Sequence, residues 1–340
     1  MKRILIVMLC LLLCLSVFTG CSANGGLIGN QSTYDQAVQL LQEGKLQEAY
    51  DLFLTIDDYR DVPKYLEGFS YVYETSTSQN TNGAAYTMHC EYDAYGRLIR
   101  SVKDQHTASG NQFEVVRAYT YDDQGNVVEF KYKRGSIYDY ATRYEYDQDR
   151  NMIKIIHPDG QVYEYTHDKQ GNVLTEVMKD VLGVVFQKHI YQYNRRGDVI
   201  EETIEQYVNN KTSSLTYRWQ YDYDGKGNMR KKESDGYYET FEYDENGRVT
   251  HHVIHRSQLD QETVQSFKYD SHGNVIEHHY DSGKNEYTHT YEFEYDDHGN
   301  VLSVISYSGG EVFQTETYSG YKLCYSPYGK TVMPEDGADY

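Results

Sequence analysis

Apolar positions along the chain follow two periods, and the switch between them divides the sequence. Thr33 and Gln36 have the spacing of a capping box, followed by Ala37, Leu40 and Leu41 on one helical face. After Gly44, residues Leu46, Ala49, Tyr50 and Phe53 repeat the i, i+3, i+4, i+7 stripe. A third stripe runs through Val62, Tyr65, Leu66, Phe69, Val72 and Tyr73, with Asp61 as cap and Pro63 in the first turn, where proline is tolerated. Residues 34–75 are therefore expected as a small α-helical segment. Residues 76–85, Ser-Thr-Ser-Gln-Asn-Thr-Asn-Gly-Ala-Ala, carry no period and read as a linker.

Beyond the linker the period becomes two. Tyr92-Asp93 is followed by Gly96, Tyr121-Asp122 by Gly125, and Tyr223-Asp224 by Gly227. The same unit returns at Tyr243-Asp244 with Gly247, Tyr269-Asp270 with Gly273, and Tyr295-Asp296 with Gly299. Degenerate copies stand at Tyr146-Asp147 with Arg150, His167-Asp168 with Gly171, and Tyr193-Asn194 with Gly197. A last, weaker copy is Tyr325-Ser326 with Gly329. In eight of the nine better copies another aromatic precedes the anchor by two positions, from Tyr119 to Phe293, which gives a strand with one aromatic face. Asp-x-x-Gly is turn chemistry, because Asp bonds the backbone two residues on and Gly accepts positive φ. An apolar residue restarts the chain six positions past each anchor: Leu98, Val127, Met152, Val173, Val199, Met229, Val249, Val275 and Val301. Each unit is thus strand, tight turn, strand, and successive units should pair as an antiparallel meander.

These anchors resemble the YD repeat of the Rhs family over residues 86–329. The resemblance implies a β-rich curved or shell-like sheet of the kind found in surface, adhesion and toxin-delivery proteins. The Asp-Pro core that precedes the toxin in that family has no match, the nearest stretch being Tyr325-Ser326-Pro327-Tyr328-Gly329, so the toxin-carrier role is not carried over. Ala37, Gly44, Ala49 and Phe53 resemble the packing positions of a single tetratricopeptide hairpin. One such hairpin makes a packing cap or a docking unit, not a solenoid.

The N-terminus changes where this body is expected to reside. Lys2 and Arg3 precede an uncharged apolar run from Ile4 to Val17, then Phe18-Thr19-Gly20-Cys21. The order is that of a signal peptide, residues 1–20, and the run is short for a transmembrane helix. Gly20-Cys21 resembles the bacterial lipobox, although Phe18 stands where that family usually has leucine. The resemblance implies a diacylglyceryl group on Cys21 and attachment to the cell membrane facing away from the cytoplasm. Two acyl chains suffice for stable anchoring. Residues 21–33 read as a tether and 330–340 as a C-terminal tail. The expected whole is mainly β: a hairpin-repeat array forming an open curled sheet, preceded by a small helical segment.

Composition narrows the partners. The chain carries 38 tyrosines, only 4 prolines and a formal net charge of −20, and loss of Lys2 and Arg3 makes it more negative still. Such a surface repels phosphate backbones, so nucleic acid is not an expected partner. Of five cysteines, only Cys90 and Cys324 lie beyond the signal segment and the anchor, too few for a disulfide scaffold or a cysteine zinc site. An open array of hairpins holds these two far apart as free thiols. Paired apolar residues such as Val127-Val128, Val173-Leu174 and Val199-Ile200 suggest a sheet covered in part on both faces.

Candidate chemistry is sparse. Asp222 to Gly227 has a superficial calcium-loop look, but Lys226 occupies a ligand position and turn chemistry accounts for the aspartates. His252 and His278 recur in phase, as do His272 and His298, at a spacing too long for two to share one metal. No metal and no cofactor are expected. No Gly-x-Ser-x-Gly, His-Glu-x-x-His or phosphate loop is present, so no catalytic residue is assigned. Aromatics in the variable connections, Tyr138, Tyr140, Tyr237, Tyr238, Tyr307 and Tyr321, are the candidate ligand contacts, with strand packing as their bland alternative. The expected function is a lipid-anchored, non-catalytic module that binds a glycan or protein through a Tyr-rich surface. The alternatives are a cell-wall glycan hydrolase using a carboxylate pair, or a scaffold docking through its helices.

Overall fold

The computed structural model describes residues 25–209 and 211–327. The signal segment, Cys21, Gly329 of the last copy and the tail 330–340 lie outside the described residues. The chain divides into two compact units, Met1–Glu67 and Gly68–Tyr340.

In the first unit, α1 (Gly25–Gln42) and α2 (Leu46–Leu54) form a helical hairpin turned at Gly44, whose φ of 75° is open to glycine. α3 (Val62–Gly68) follows. Ala37, Ala49, Phe53 and Val62 are buried, as the stripes predict, Ile56 is buried with them, and Phe53 stacks on Tyr65 at 4.8 Å. Two boundaries differ from expectation. α1 begins eight residues before Thr33, whose hydroxyl donates to the Gly29 carbonyl inside the helix instead of capping it. The third stripe ends at Gly68, and Phe69–Val72 is a strand paired with Lys322–Tyr325.

The second unit holds that two-stranded sheet and one large antiparallel sheet, and in the large one two expectations fail. Residues 76–85 are not a linker: Thr75–Asn80 is a strand and the rest is its turn. That strand pairs on one side with Ala85–Tyr92 and on the other with Glu311–Ser319. It therefore joins the last long strand of the array to the first, and the sheet is a closed barrel rather than an open curl. The ring holds 21 strand segments. Two of them, Lys211–Arg218 and Gln220–Tyr223, are one strand interrupted at Trp219, whose N–H still donates to the Ile200 carbonyl at 3.0 Å. Counted as one they make the ring even, as an all-antiparallel closure demands.

Closure has a local cause. At each of the nine better anchors the ladder slips by a residue, as between Tyr121 and Val127, Tyr193 and Val199, or Tyr295 and Val301. A bulge of this kind bends its strand and sharpens the twist. Recurring at the same end of each hairpin, it curves the whole sheet one way. Hairpin ends meet as a result: a Cβ on Gly96, in the first repeat turn, would lie 2.4 Å from Cys324 Cβ. Cys90 and Cys324 are nevertheless both free thiols, buried, with burial pushing their pKa values up.

Register assigns one face of the ring to the aromatics. Tyr119 pairs with Phe130, Tyr144 with Ile155, Tyr191 with Glu202, Phe241 with His252 and Phe293 with Val304. Ser76, Ser78, Cys90, Ser101, Val115, Phe130, Thr142, Tyr144, Ile155, Thr263 and Ser306 share that face and are buried. In a closed barrel the more buried face is the concave one, so the aromatic face is the inner one. Its driest part is the cluster of Val127, Phe130, Tyr144 and Ile155. The other face carries polar cross-strand pairs nine residues apart: Glu91 with Arg100, Glu145 with Lys154, Thr166 with Thr175, and Lys268 with Glu277. Ile99, Leu174 and Leu302, at seventh positions past their anchors, are exposed on this outer face, so the cover expected on both faces is not found at these positions.

Candidate functional site: a tyrosine-lined ring

The repeat unit explains itself in hydrogen bonds. Asp122 accepts at Oδ1 from the N–H groups of Gln124 and Asn126, and at Oδ2 from the Asn126 amide, all at 2.9 Å. Asp147, Asp168, Asp224 and Asp296 repeat the arrangement, each with an asparagine four residues on. Asp93 and Asp244 do so with Arg97 and Arg248, and Asp270 keeps its two backbone donors. Asn194 fills the role without a charge, and Asp198 accepts from its amide. The carboxylate of Asp224 is thus occupied by N–H donors, as a turn requires and a calcium loop does not. Gly125 and its equivalents take positive φ; Arg150 takes φ 67° in their place, and its guanidinium bonds Asn126 of the preceding turn at 3.0 Å.

The anchor tyrosines clamp each unit to the one before. Tyr121 donates to the Leu98 carbonyl, Tyr193 to Val173, Tyr243 to Met229 and Tyr269 to Val249, at 2.6–2.7 Å. Tyr223 donates to Asp198 and Tyr295 to Asp270. Burial pushes the phenols of Tyr146, Tyr221 and Tyr295 up to about 12, and Tyr221 and Tyr295 donate, to the Val199 carbonyl and to Asp270. His167 cannot make this bond, and its Nδ1 is buried without a partner. The final clamp belongs to Tyr321, which reaches the Val301 carbonyl at 2.6 Å, and not to Tyr325, which sits in the strand paired with Phe69–Val72. A candidate ligand contact is thereby a repeat anchor.

Turn aspartates also set an acid limit. Asn151 and Asn172 hold the carboxyls of Asp147 and Asp168 low. For Asp122, Asp224 and Asp296 burial pushes upward, but the turn hydrogen bonds outweigh it; for Asp270 burial is outweighed first by the Tyr295 phenol and then by the turn. The Arg248 N–H leads for Asp244. Folded values below the unfolded value of about 3.9 give stability that is present above that pH and lost as pH falls through the lowered values. Urea midpoints should therefore hold from pH 7 to about 5 and fall steeply below about 4. An unchanged midpoint at pH 3 would contradict the turn account.

The remaining candidates do not converge. Tyr140 lies on the inner face stacked on Tyr132 at 5.1 Å, and Tyr138 lies two residues before it, exposed at the rim. Tyr237, also inward, donates to Glu239 at 2.6 Å. Tyr238 and Tyr307 point outward, Tyr238 against His255 at 4.7 Å and Tyr307 to Glu292 at 2.7 Å. The phased histidines are ring partners: His252 stacks on Phe241 at 4.5 Å, His278 on Phe267 at 4.9 Å and His272 on Tyr295 at 3.9 Å. Among the described residues no three metal-binding side chains come together.

Inner carboxylates are woven into this lining. Tyr165 donates to Glu176, Tyr86 and Tyr318 to Glu316, and His189 bonds Glu202 at 2.6 Å. Burial raises the Glu239 pKa, but hydrogen bonds from Tyr237 and His252 outweigh it and hold the carboxyl low. Periodicity missed these acids because they stand among the aromatics as ordinary alternating polar positions.

No family model matches the chain, and no curated protein sequence does. Solved structures are similar at a distance. The TcdB2-TccC3-Cdc42 structure is 11% identical over 65% of this chain, with TM-score 0.27. This chain spans only 15% of that one's length. Porin-like proteins from Bacteroides uniformis and Bacteroides vulgatus are 15% and 10% identical over 74% and 73% of this chain. Both have TM-score 0.32, and this chain spans 96% and 97% of their lengths. None reaches a similarity that bears on what this chain does.

Proposed function

We propose that the chain is a lipid-anchored, non-catalytic module of the cell envelope that binds a glycan on the inner face of its barrel. The observation that carries this reading is the aromatic that eight of the nine better repeats place two residues before the anchor, all on one concave face. Ring faces pack on the C–H surfaces of sugars, and carboxylates and amides between them suit sugar hydroxyls. A concave lining inside a closed sheet suits a slender polymer better than a folded protein. Among the described residues no helix is long and apolar enough to cross a membrane. The outer face bears Glu–Lys and Glu–Arg pairs where a membrane-embedded barrel has an apolar belt, which supports attachment through acylated Cys21 rather than through the sheet.

Incubating the protein with purified cell-wall polysaccharide, followed by analysis of both pellet and soluble sugars, tests the reading. Retention without release of smaller sugars is expected; released products would make the chain a hydrolase. Absence of retention would remove the glycan altogether. In cells, Cys21→Ala should move the protein from the membrane pellet to the soluble fraction. A variant that stays in the pellet would sink the lipoprotein reading.

A further inference from the structure

One strand of the ring keeps a free edge. The strand interrupted at Trp219 hands the ladder from one neighbour to the other: Lys211–Arg218 pairs with Val199–Val208, and Gln220–Tyr223 with Met229–Ser234. The hairpin that follows is short. Ser234 pairs with Tyr237 around the turn Asp235-Gly236, which closes level with Arg218, because Gln220 pairs with Glu233. Lys211–Arg218 overhangs that turn, and among the described residues no strand pairs with its second side. The alternation of an antiparallel ladder fixes which backbone groups are left over. The Trp219 N–H donates to Ile200, so Lys211, Ser213, Leu215 and Tyr217 also face Val199–Val208. Thr212, Ser214 and Thr216 turn their N–H and C=O groups to the open side, and such a row is a template for another strand.

Side chains mark the same place. Leu215 and Tyr217 lie on the inner face yet are exposed, while their partners Ile204 and Glu202 are half-buried. Val208 is exposed beside them, as are Val181, Leu182 and Val184 at the tip of the adjoining hairpin. On the other side of the overhang, Gly236 accepts from the Ser257 N–H, and Leu259 is exposed at that next tip. Apolar residues gathered at one exposed spot mark an interface. The formal charge of −20 opposes self-association, but Lys211–Arg218 contains no acid. Lys211 stands exposed at the outer end of the overhang and Asp235 exposed at its root.

We infer that a second copy of this chain occupies the edge, its own Lys211–Arg218 running antiparallel about a twofold axis at Ser214. Thr212 then faces Thr216 of the second copy and Ser214 faces its counterpart, which makes about six backbone hydrogen bonds. Lys211 of each copy arrives beside Tyr217 and Asp235 of the other, so a cation–π contact and an ion pair each form twice. This reciprocity selects a second copy over an unrelated strand. The hairpin tip 180–184 of each copy stands over the tip 257–260 of the other, where Leu182 and Leu259 cover each other. A twofold axis normal to the sheet keeps inner face with inner face, so the two barrels join rim to rim around one continuous lumen. The dimer does not depend on the glycan reading.

Sedimentation equilibrium of the chain carrying Cys21→Ala tests this, and twice the mass of one chain is expected. Ser214→Pro removes an N–H that no strand of the barrel uses. It should keep the wild-type circular dichroism and weaken the dimer by about tenfold or more. Ser213→Pro, whose N–H faces Gln206, should instead disturb the barrel itself. Oxidised Ser214→Cys should trap the dimer as one covalent species, since paired Cα atoms stand about 5.5 Å apart. If Ser214→Pro does not fold, charge reversal decides. Lys211→Asp or Asp235→Lys alone should weaken the dimer by about tenfold, and the two together should restore it. A single-chain mass at every concentration would overturn the inference. So would a dimer left unmoved by Ser214→Pro and by both single charge reversals, since its interface would lie elsewhere.

Discussion

Ser78→Pro should unfasten the barrel and cost the β unit about 3 kcal/mol or more. Ser78 lies at the centre of the strand that joins the first and last parts of the ring, opposite Tyr86 on one side and Glu316 on the other. Proline removes an N–H and clashes wherever a strand has partners on both sides; on an edge it is tolerated. Ser78 is also 5% exposed, so the ring must enter a closely packed spot on the inner face. Thiol chemistry supplies the readout. Cys90 lies on the neighbouring strand Ala85–Tyr92, its N–H donating at 2.8 Å to the carbonyl of Glu74, just before Thr75, and Cys324 packs on the Gly96 turn. With Cys21 replaced, both thiols should react slowly in the folded wild type, rapidly in Ser78→Pro, and fully in denaturant. If the variant melts like wild type with protected thiols, the strand is an edge and the ring is open.

Phe130→Ala should be the most damaging single truncation, about 3–5 kcal/mol. Phe130 is 4% exposed, stacks on Tyr119 at 5.1 Å, and belongs to the cluster with Val127, Tyr144 and Ile155. Tyr243→Ala should cost visibly less. Sequence alone recommends Tyr243 as the more critical residue, since it sits amid the most regular copies. In the barrel it is only half-buried, and its phenol closes one clamp to Met229. Its loss combines one hydrogen bond with part of a ring's burial, about 1–3 kcal/mol. Denaturant midpoints of the two variants side by side decide the order, and equal losses would mean that the dry cluster is no special core.

The hairpins were legible because their chemistry is local: aromatic–x–Tyr makes a strand face and Asp-x-x-Gly makes its turn within a few residues. Ring closure was not, for a physical reason. The closing strand reads Thr-Ser-Thr-Ser-Gln-Asn, with no apolar residue to betray a period, and its inward side chains are the small hydroxyls of Ser76 and Ser78. Those small side chains let Tyr86, Glu316 and Tyr318 meet across it. Phe69 to Tyr73 misled in the opposite sense, since apolar spacing there fits a helix equally well and only long-range pairing with Lys322–Tyr325 selects the strand. Tyr321 has no aspartate after it and so escapes the motif, although it makes the clamp.

A ring whose members alternate in direction can gain or lose strands only in pairs. Duplication or deletion of one repeat therefore changes the molecule in fixed increments. Each added hairpin widens the circumference by about 10 Å and the lumen by about 3 Å in diameter, without asking any existing turn to change. Copy number is then a bore gauge. Relatives with one unit more or fewer would share every clamp and every turn yet enclose lumens of different width, so bore can evolve by counting rather than by substitution.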